Sequence, residues 1–269
     1  MNVTVLYIGS SLLAPLRQAE REINNDYALN LRVAAYNFGA SLTEGEWREV
    51  EGDLSIADVV FVIHVMDGEN AARLLPALEK YKARHHAVAV INCMPDLMRR
   101  TRMGKLDFGR MFGGAKNAEP RAGRQATKEN DGERRAESLV GRVGAWMGEQ
   151  ARAHRGKKQR SHTQYLKLVD RLPGILRFVP SAGRLRDIKH YLQLFCYFLQ
   201  PTPANIRSMV LYSIKHYVPG EGVAKSEIKL PPPERMPAVA IYHPDASSLF
   251  ESFAAYQKWY ERRTDNNGK

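Results

Sequence analysis

At 269 residues, with 44% apolar and 26% charged residues, the chain has the composition of a soluble globular protein and enough length for a substantial core, with two domains expected. No stretch approaches the roughly 18 uninterrupted apolar residues of a membrane span, and the start MNVTVLYIGSS has neither the basic flank nor the small-residue cleavage site of a secretory signal. The net charge of +11 suggests an acidic partner, but 17 of the 40 Lys/Arg residues, against seven Asp/Glu, lie between Arg99 and Arg160, so the basic character belongs to one segment.

Residues 3–8 (VTVLYI) read as a strand ending at Gly9-Ser10-Ser11. Leu12, Leu16, Ala19 and Ile23 then recur at helical spacing, and Leu31–Tyr36 forms a second strand. Asp58–Met66 (DVVFVIHVM) is the clearest strand; its continuous apolar run requires cover on both faces, as in a parallel sheet. A helix over Glu69–Arg84 presents Leu74, Leu75, Leu78 and Tyr81 inward, and Ala87–Asn92 is a fourth strand. The alternation over residues 1–100 predicts an α/β fold with a Rossmann- or flavodoxin-like doubly wound parallel sheet, followed by a mainly α-helical part.

Met94-Pro95 ends the fourth strand, and the next residues turn toward a short helix and loop. Residues 113–132 hold no large apolar residue and read as a flexible basic loop. Helices are expected over Glu133–Arg155, over Tyr165–Phe178 with a break at Pro173-Gly174, over Arg184–Leu199 and over Pro203–Val218. Pro231-Pro232-Pro233 and Pro237 make a stiff connector. It leads to Ala238–Arg263, a short apolar run to His243-Pro244, a small-residue turn and an aromatic amphipathic helix. The expected division is 1–155 (α/β), 156–237 (helical neck) and 238–269 (the start of a further domain).

Catalytic signatures are sparse. Neither GxGxxG, GxxxxGK[ST], HExxH nor a CxxC pair occurs. Gly9-Ser10-Ser11 suits either a phosphate at a helix N-terminus or a plain strand-to-helix turn. His64 reads as a hydrogen-bonded core residue of the buried strand, and His85-His86 as the basic end of a helix. Cys93 and Cys196 sit in apolar segments, as reduced cytosolic thiols do. The basic segment 99–160 could contact nucleic acid, but Phe108, Phe112 and Trp146 are its only aromatic residues, and a solvated loop that attracts acidic partners or lipids explains it as well.

Three segments together resemble the N-terminal region of the large, porphyrin-binding H subunit of the CobN/magnesium chelatase family. They are Cys93–Phe108 (CMPDLMRRTRMGKLDF), the helical run from Tyr165 through Phe178-Val-Pro-Ser and on to Tyr217-Val-Pro, and Ile241-Tyr-His-Pro-Asp with Phe253, Tyr256, Trp259, Tyr260 and Arg262-Arg263. Tyr242 stands where the family pattern has Trp.

The resemblance implies a part in ATP-dependent insertion of Mg²⁺ into protoporphyrin IX for chlorophyll or bacteriochlorophyll synthesis. It also implies partnership with the family's two AAA+-type proteins, its I and D subunits, and a cytoplasmic location, peripheral to a photosynthetic membrane. The family's metallation site lies in a downstream cage region beyond these residues, so no catalytic residue carries over, and no cofactor is assigned to this chain. The chain then reads as a head-and-neck piece, whether a fragment, a split subunit or a truncated relative, and is inactive alone.

A stand-alone tetrapyrrole-binding regulator is the alternative, and a nucleic-acid-binding protein using 99–160 a third reading. Macrocycles stack on rings and propionates pair with guanidinium groups, which makes His243, Tyr256, Trp259, Arg262 and Arg263 the candidate porphyrin or interface residues. The plain alternative is that the rings pack the last helix onto the helical part while the arginines stay solvated.

Overall fold

The computed structural model describes residues 1–9, 12–65, 68–92, 94–113, 181–220, 227–235, 240–247 and 249–266. The helices expected over 133–155 and 165–178, Cys93, Ser10-Ser11 and most of the basic segment lie outside them, as does the 113–132 loop except Gly113.

Six strands form one sheet in the order β2-β1-β3-β4-β5-β6. Strands β1 (Asn2–Tyr7), β2 (Arg32–Asn37), β3 (Val59–Ile63) and β4 (Ala87–Ile91) are parallel, whereas β5 (Arg102–Met103) and β6 (Leu106–Asp107) add an antiparallel edge. Side-chain parity assigns the two faces. Val3, Val5, Val59, Phe61, Ala89 and Ile91 point to one core, while Leu6, Val60, Val62, Val88 and Val90 point to the other. The first core is closed by helices α1 (Leu13–Tyr27), α6 (Gly183–Leu199) and α7 (Pro203–Tyr217). The second is closed by α2 (Glu44–Ile56), α3 (Gly68–Lys80) and α4 (Pro95–Met98), through Trp47, Val50, Leu54, Leu74 and Leu97. The short helix α5 (Phe108–Gly113) follows β6.

This is the expected α/β fold with a mostly parallel sheet followed by helices. The later helices share the core of the sheet. Tyr191 of α6, fully buried, donates a 2.8 Å hydrogen bond to the Val90 carbonyl of β4. Arg207 of α7 reaches Asp26 (2.5 Å) and Glu22 (3.4 Å) of α1. Asn205 holds the proline connector from both sides: its Nδ2 donates to the Glu234 carbonyl and its Oδ1 accepts the Glu234 N–H.

Four details differ from the sequence expectations. Helix α2 was not anticipated, although Thr43 and Glu46 form a reciprocal capping box at its start. Residues 102–107 form a hairpin rather than a loop; its turn uses Gly104 at φ +56, a conformation that glycine adopts without a Cβ penalty. Helix α3 stops at Lys80, and residues 81–84 are a turn. His64 is not a strand residue: β3 ends at Ile63, and His64 turns the chain at φ +53, half-buried, with its ring 5.3 Å from that of Phe198. The physical reason is that the backbone must leave the sheet there, its N–H still bonded to the Ile91 carbonyl at 2.9 Å.

Candidate functional site

The C-terminal residues build a small module of their own. Ile241 and Phe250 form an isolated antiparallel bridge, with hydrogen bonds of 2.8 and 3.0 Å, that closes the His243-Pro244-Asp245-Ala246 turn. Within it the Ala246 N–H donates to the His243 carbonyl and the Asp245 N–H to His243 Nδ1. Ser252 then accepts the Ala255 N–H on its hydroxyl and starts helix α8 (Phe253–Asn266). The helix folds back on the turn through Arg263, whose guanidinium lies 2.6 Å from Asp245 and 5.5 Å from the centre of the Trp259 ring.

Around that ion pair the rings gather. His243 lies 4.9 Å from Trp259, Phe250 is 5.3 Å from Trp259 and 5.6 Å from Tyr256, and Tyr256 is 6.2 Å from Trp259. Such spacing is the range in which ring pairs attract beyond simple burial. Of the five candidate residues, His243, Tyr256, Trp259 and Arg263 therefore stand together, while Arg262 is exposed on α8 and makes no ion pair among the described residues. Phe250, which pairs with Ile241 across the turn, is the member that sequence reading passed over.

Three aromatic side chains of the module lie outside both cores and stay exposed: Phe253 is 66% exposed, Tyr260 45% and Tyr242 43%. Burial, followed by the neighbouring Asp245 carboxylate, pushes the Tyr242 phenol up, so it stays a neutral donor near neutral pH. Among the described residues no three His, Cys, Asp or Glu side chains are placed to hold a metal ion.

A second polar cluster lies at the α6–α7 seam. Asp187, fully buried, accepts the Lys105 N–H at 2.7 Å and the Tyr217 hydroxyl at 3.1 Å. The same hydroxyl meets His190 Nδ1 at 3.0 Å, and the His190 ring lies 4.2 Å from that of His216. Burial first, and then His216, Arg186 and Lys189, lower the His190 pKa to about 3, so its ring is neutral at physiological pH. Cys196 is buried, and burial pushes its thiol up to about 12, which leaves it an inert core group.

The described residues thus combine an α/β scaffold with a separate aromatic module. Comparison with known proteins identifies the lineage. Residues 2–192 match the family described as "Domain of unknown function (DUF3479)", and residues 195–269 match the family described as "CobN/Magnesium Chelatase". The chain belongs to the first of these families and, with both matches in order, corresponds to the N-terminal region of the H subunits of magnesium chelatase.

Similar proteins include the ChlH subunit of magnesium chelatase from Oryza sativa subsp. indica, 24% identical over all of this chain and 17% of that protein. The magnesium-chelatase H subunit from Rhodobacter capsulatus is 23% identical over 91% of the chain and 18% of its own length. Its counterpart from Chlorobaculum parvum is 30% identical over 43% of the chain and 8% of its own length. The chain thus spans less than a fifth of the curated relatives it matches.

Proposed function

We propose that this chain is the head of a magnesium chelatase H subunit, a scaffold that supports protoporphyrin IX binding and subunit assembly during ATP-dependent Mg²⁺ insertion in chlorophyll or bacteriochlorophyll synthesis. The observation that carries the reading is continuity. The CobN/magnesium chelatase match begins at Phe195, a fully buried residue in the C-terminal third of α6, inside the core built on the sheet. The first part of the chelatase-like match, residues 195–218 with Ile228, shares its core with the α/β unit, so the head is built to hold the start of the chelatase region at a set position.

On this reading, protoporphyrin IX and Mg²⁺ are substrates of the complete H subunit, and ATP is hydrolysed in the cytoplasm by the AAA+-type I and D partners. The chain itself supplies no catalytic group. His243, Tyr256 and Trp259 pack against each other or against Phe250, so their faces serve the module, and the exposed rings of Tyr242, Phe253 and Tyr260 are the surface for the cage region that follows. Arg262 and Arg263 border that surface. No described helix is long and apolar enough to cross a membrane.

The test is reconstitution. The chain is mixed with a polypeptide carrying the remaining cage region, and porphyrin fluorescence quenching and Mg-porphyrin formation with the AAA+ partners are followed. Activity that depends on both polypeptides, and a Phe253→Ser/Tyr260→Ser variant that folds but weakens their association about tenfold or more, are expected. Submicromolar porphyrin binding by this chain alone would instead identify a stand-alone tetrapyrrole-binding protein.

A further inference from the structure

The antiparallel edge of the sheet carries a recess of about 200 Å³ between the end of α3, β4, the residues after α4, the β5–β6 hairpin and the start of α5, which the chelatase reading leaves unused. That volume equals roughly seven waters at about 30 Å³ each, room for a small ligand but not for a macrocycle. Leu78 and Val88, each 4% exposed, line it with apolar surface. Lys82, Arg99, Arg100, Arg102 and Arg110 also line it, against two carboxylates, Glu79 and Asp107.

The pairing within the recess leaves cationic capacity over. Glu79 serves two cations, Lys82 at 3.1 Å and Arg100, and the Lys82 hydrogen bond leads the contacts that hold its carboxyl below the usual range. Arg99 bonds Asp96 through one terminal nitrogen, and Arg110 meets Asp107 at 3.6 Å, both pairs being three residues apart on the surface. Arg102 donates through one terminal nitrogen to the Lys82 and His85 carbonyls. Among the described residues these contacts use part of each five-donor guanidinium fork, so four arginines that line one recess keep donors over, with the Arg99 and Arg110 side chains, 50% and 91% exposed, at its rim. A guanidinium fork matches the two oxygens of a phosphate, and a recess with low-dielectric walls strengthens that pairing relative to an open surface.

We propose that this recess is a binding site for a compact, multiply charged phosphate-type oxyanion, held by Arg99, Arg100 and Arg110, with Arg102 fixed as its wall. Its concave shape fits a soluble anion better than a flat membrane surface. The site does not depend on the chelatase assignment.

The probe is inorganic pyrophosphate, titrated calorimetrically into the full chain and compared with sodium chloride at matched ionic strength. Arg99→Gln/Arg110→Gln is the variant of choice, because both residues sit in exposed pairs whose loss costs little stability. The charge-matched control is Arg21→Gln/Lys229→Gln, both exposed and away from the recess. Saturable pyrophosphate binding that weakens about tenfold or more in the first variant, with unchanged melting temperature and no such loss in the control, is the expected result. No saturable binding, equal weakening in variant and control, or binding only to phosphatidic acid vesicles and not to pyrophosphate, overturns the proposal.

Discussion

The carboxylate of Asp187 occupies the space where a side chain on Gly104 would begin: a Cβ there would lie 2.6 Å from Asp187 Oδ2. One residue is on α6 and the other in the β5–β6 turn, so the late helix fits onto the edge of the sheet through backbone, with Lys105 N–H donating to the same carboxylate. Gly104→Ala therefore meets both a positive φ and a clash with a buried carboxyl group. A loss of about 2–4 kcal/mol is expected in urea unfolding. Asp187→Ala in the same background should recover part of the clash while leaving the Lys105 N–H unpaired, so the two changes will not add. Additive losses would show that the two residues are independent.

His190 provides a pH test. Its folded-state pKa, about 3, lies below the unfolded value of 6.5, because burial and the facing cations Arg186 and Lys189, together with His216, oppose its charge. The contribution is fully present above pH 6.5 and is lost as pH falls from 6.5 toward 3, since the unfolded chain binds the proton first. After allowance for partial exposure, about 1 kcal/mol should disappear between pH 7 and pH 5. Urea midpoints measured at both values check this; His190→Gln should flatten the difference, and an unchanged slope would remove His190 as its source.

Thr43 caps α2 by accepting the Glu46 N–H at 3.3 Å, while Glu46 accepts the Thr43 N–H at 2.7 Å. Thr43→Ala should cost about 1 kcal/mol and Thr43→Ser almost nothing. A cost shared equally by both variants would point to the lost methyl instead of the cap.

The terminal module is expected to melt on its own. Trp259 joins His243, Phe250, Tyr256 and Arg263, and none of these contacts reaches either core of the sheet. Trp259→Ala should raise amide hydrogen exchange in α8 by about a hundredfold, near 2–3 kcal/mol of local stability, with β3 unaffected. Exchange rising equally in β3 would show that the module is coupled to the sheet.

The recurrence of apolar residues was enough to read β1 to β4, α1, α3, α6 and α7, because strands buried on both faces and helices with one wet face carry that pattern in their own residues. The family relationship was also legible there, in motifs that follow one another from Cys93 to Arg263. Helix α2 escaped because Trp47, Val50 and Leu54 make a thin stripe among acidic neighbours, although its capping box was written in Thr43 and Glu46.

Only tertiary structure decided that Asp187 meets Gly104, that His64 turns out of the strand against Phe198, and that His243 packs at a tilt against Trp259. It also brought Lys82 of the α3 turn beside Arg100 and Arg110 to line one recess. The first three are contacts between residues from 16 to 134 positions apart. Periodicity records which way a side chain faces, whereas its partner is chosen by chain reversal and packing, which no local pattern encodes.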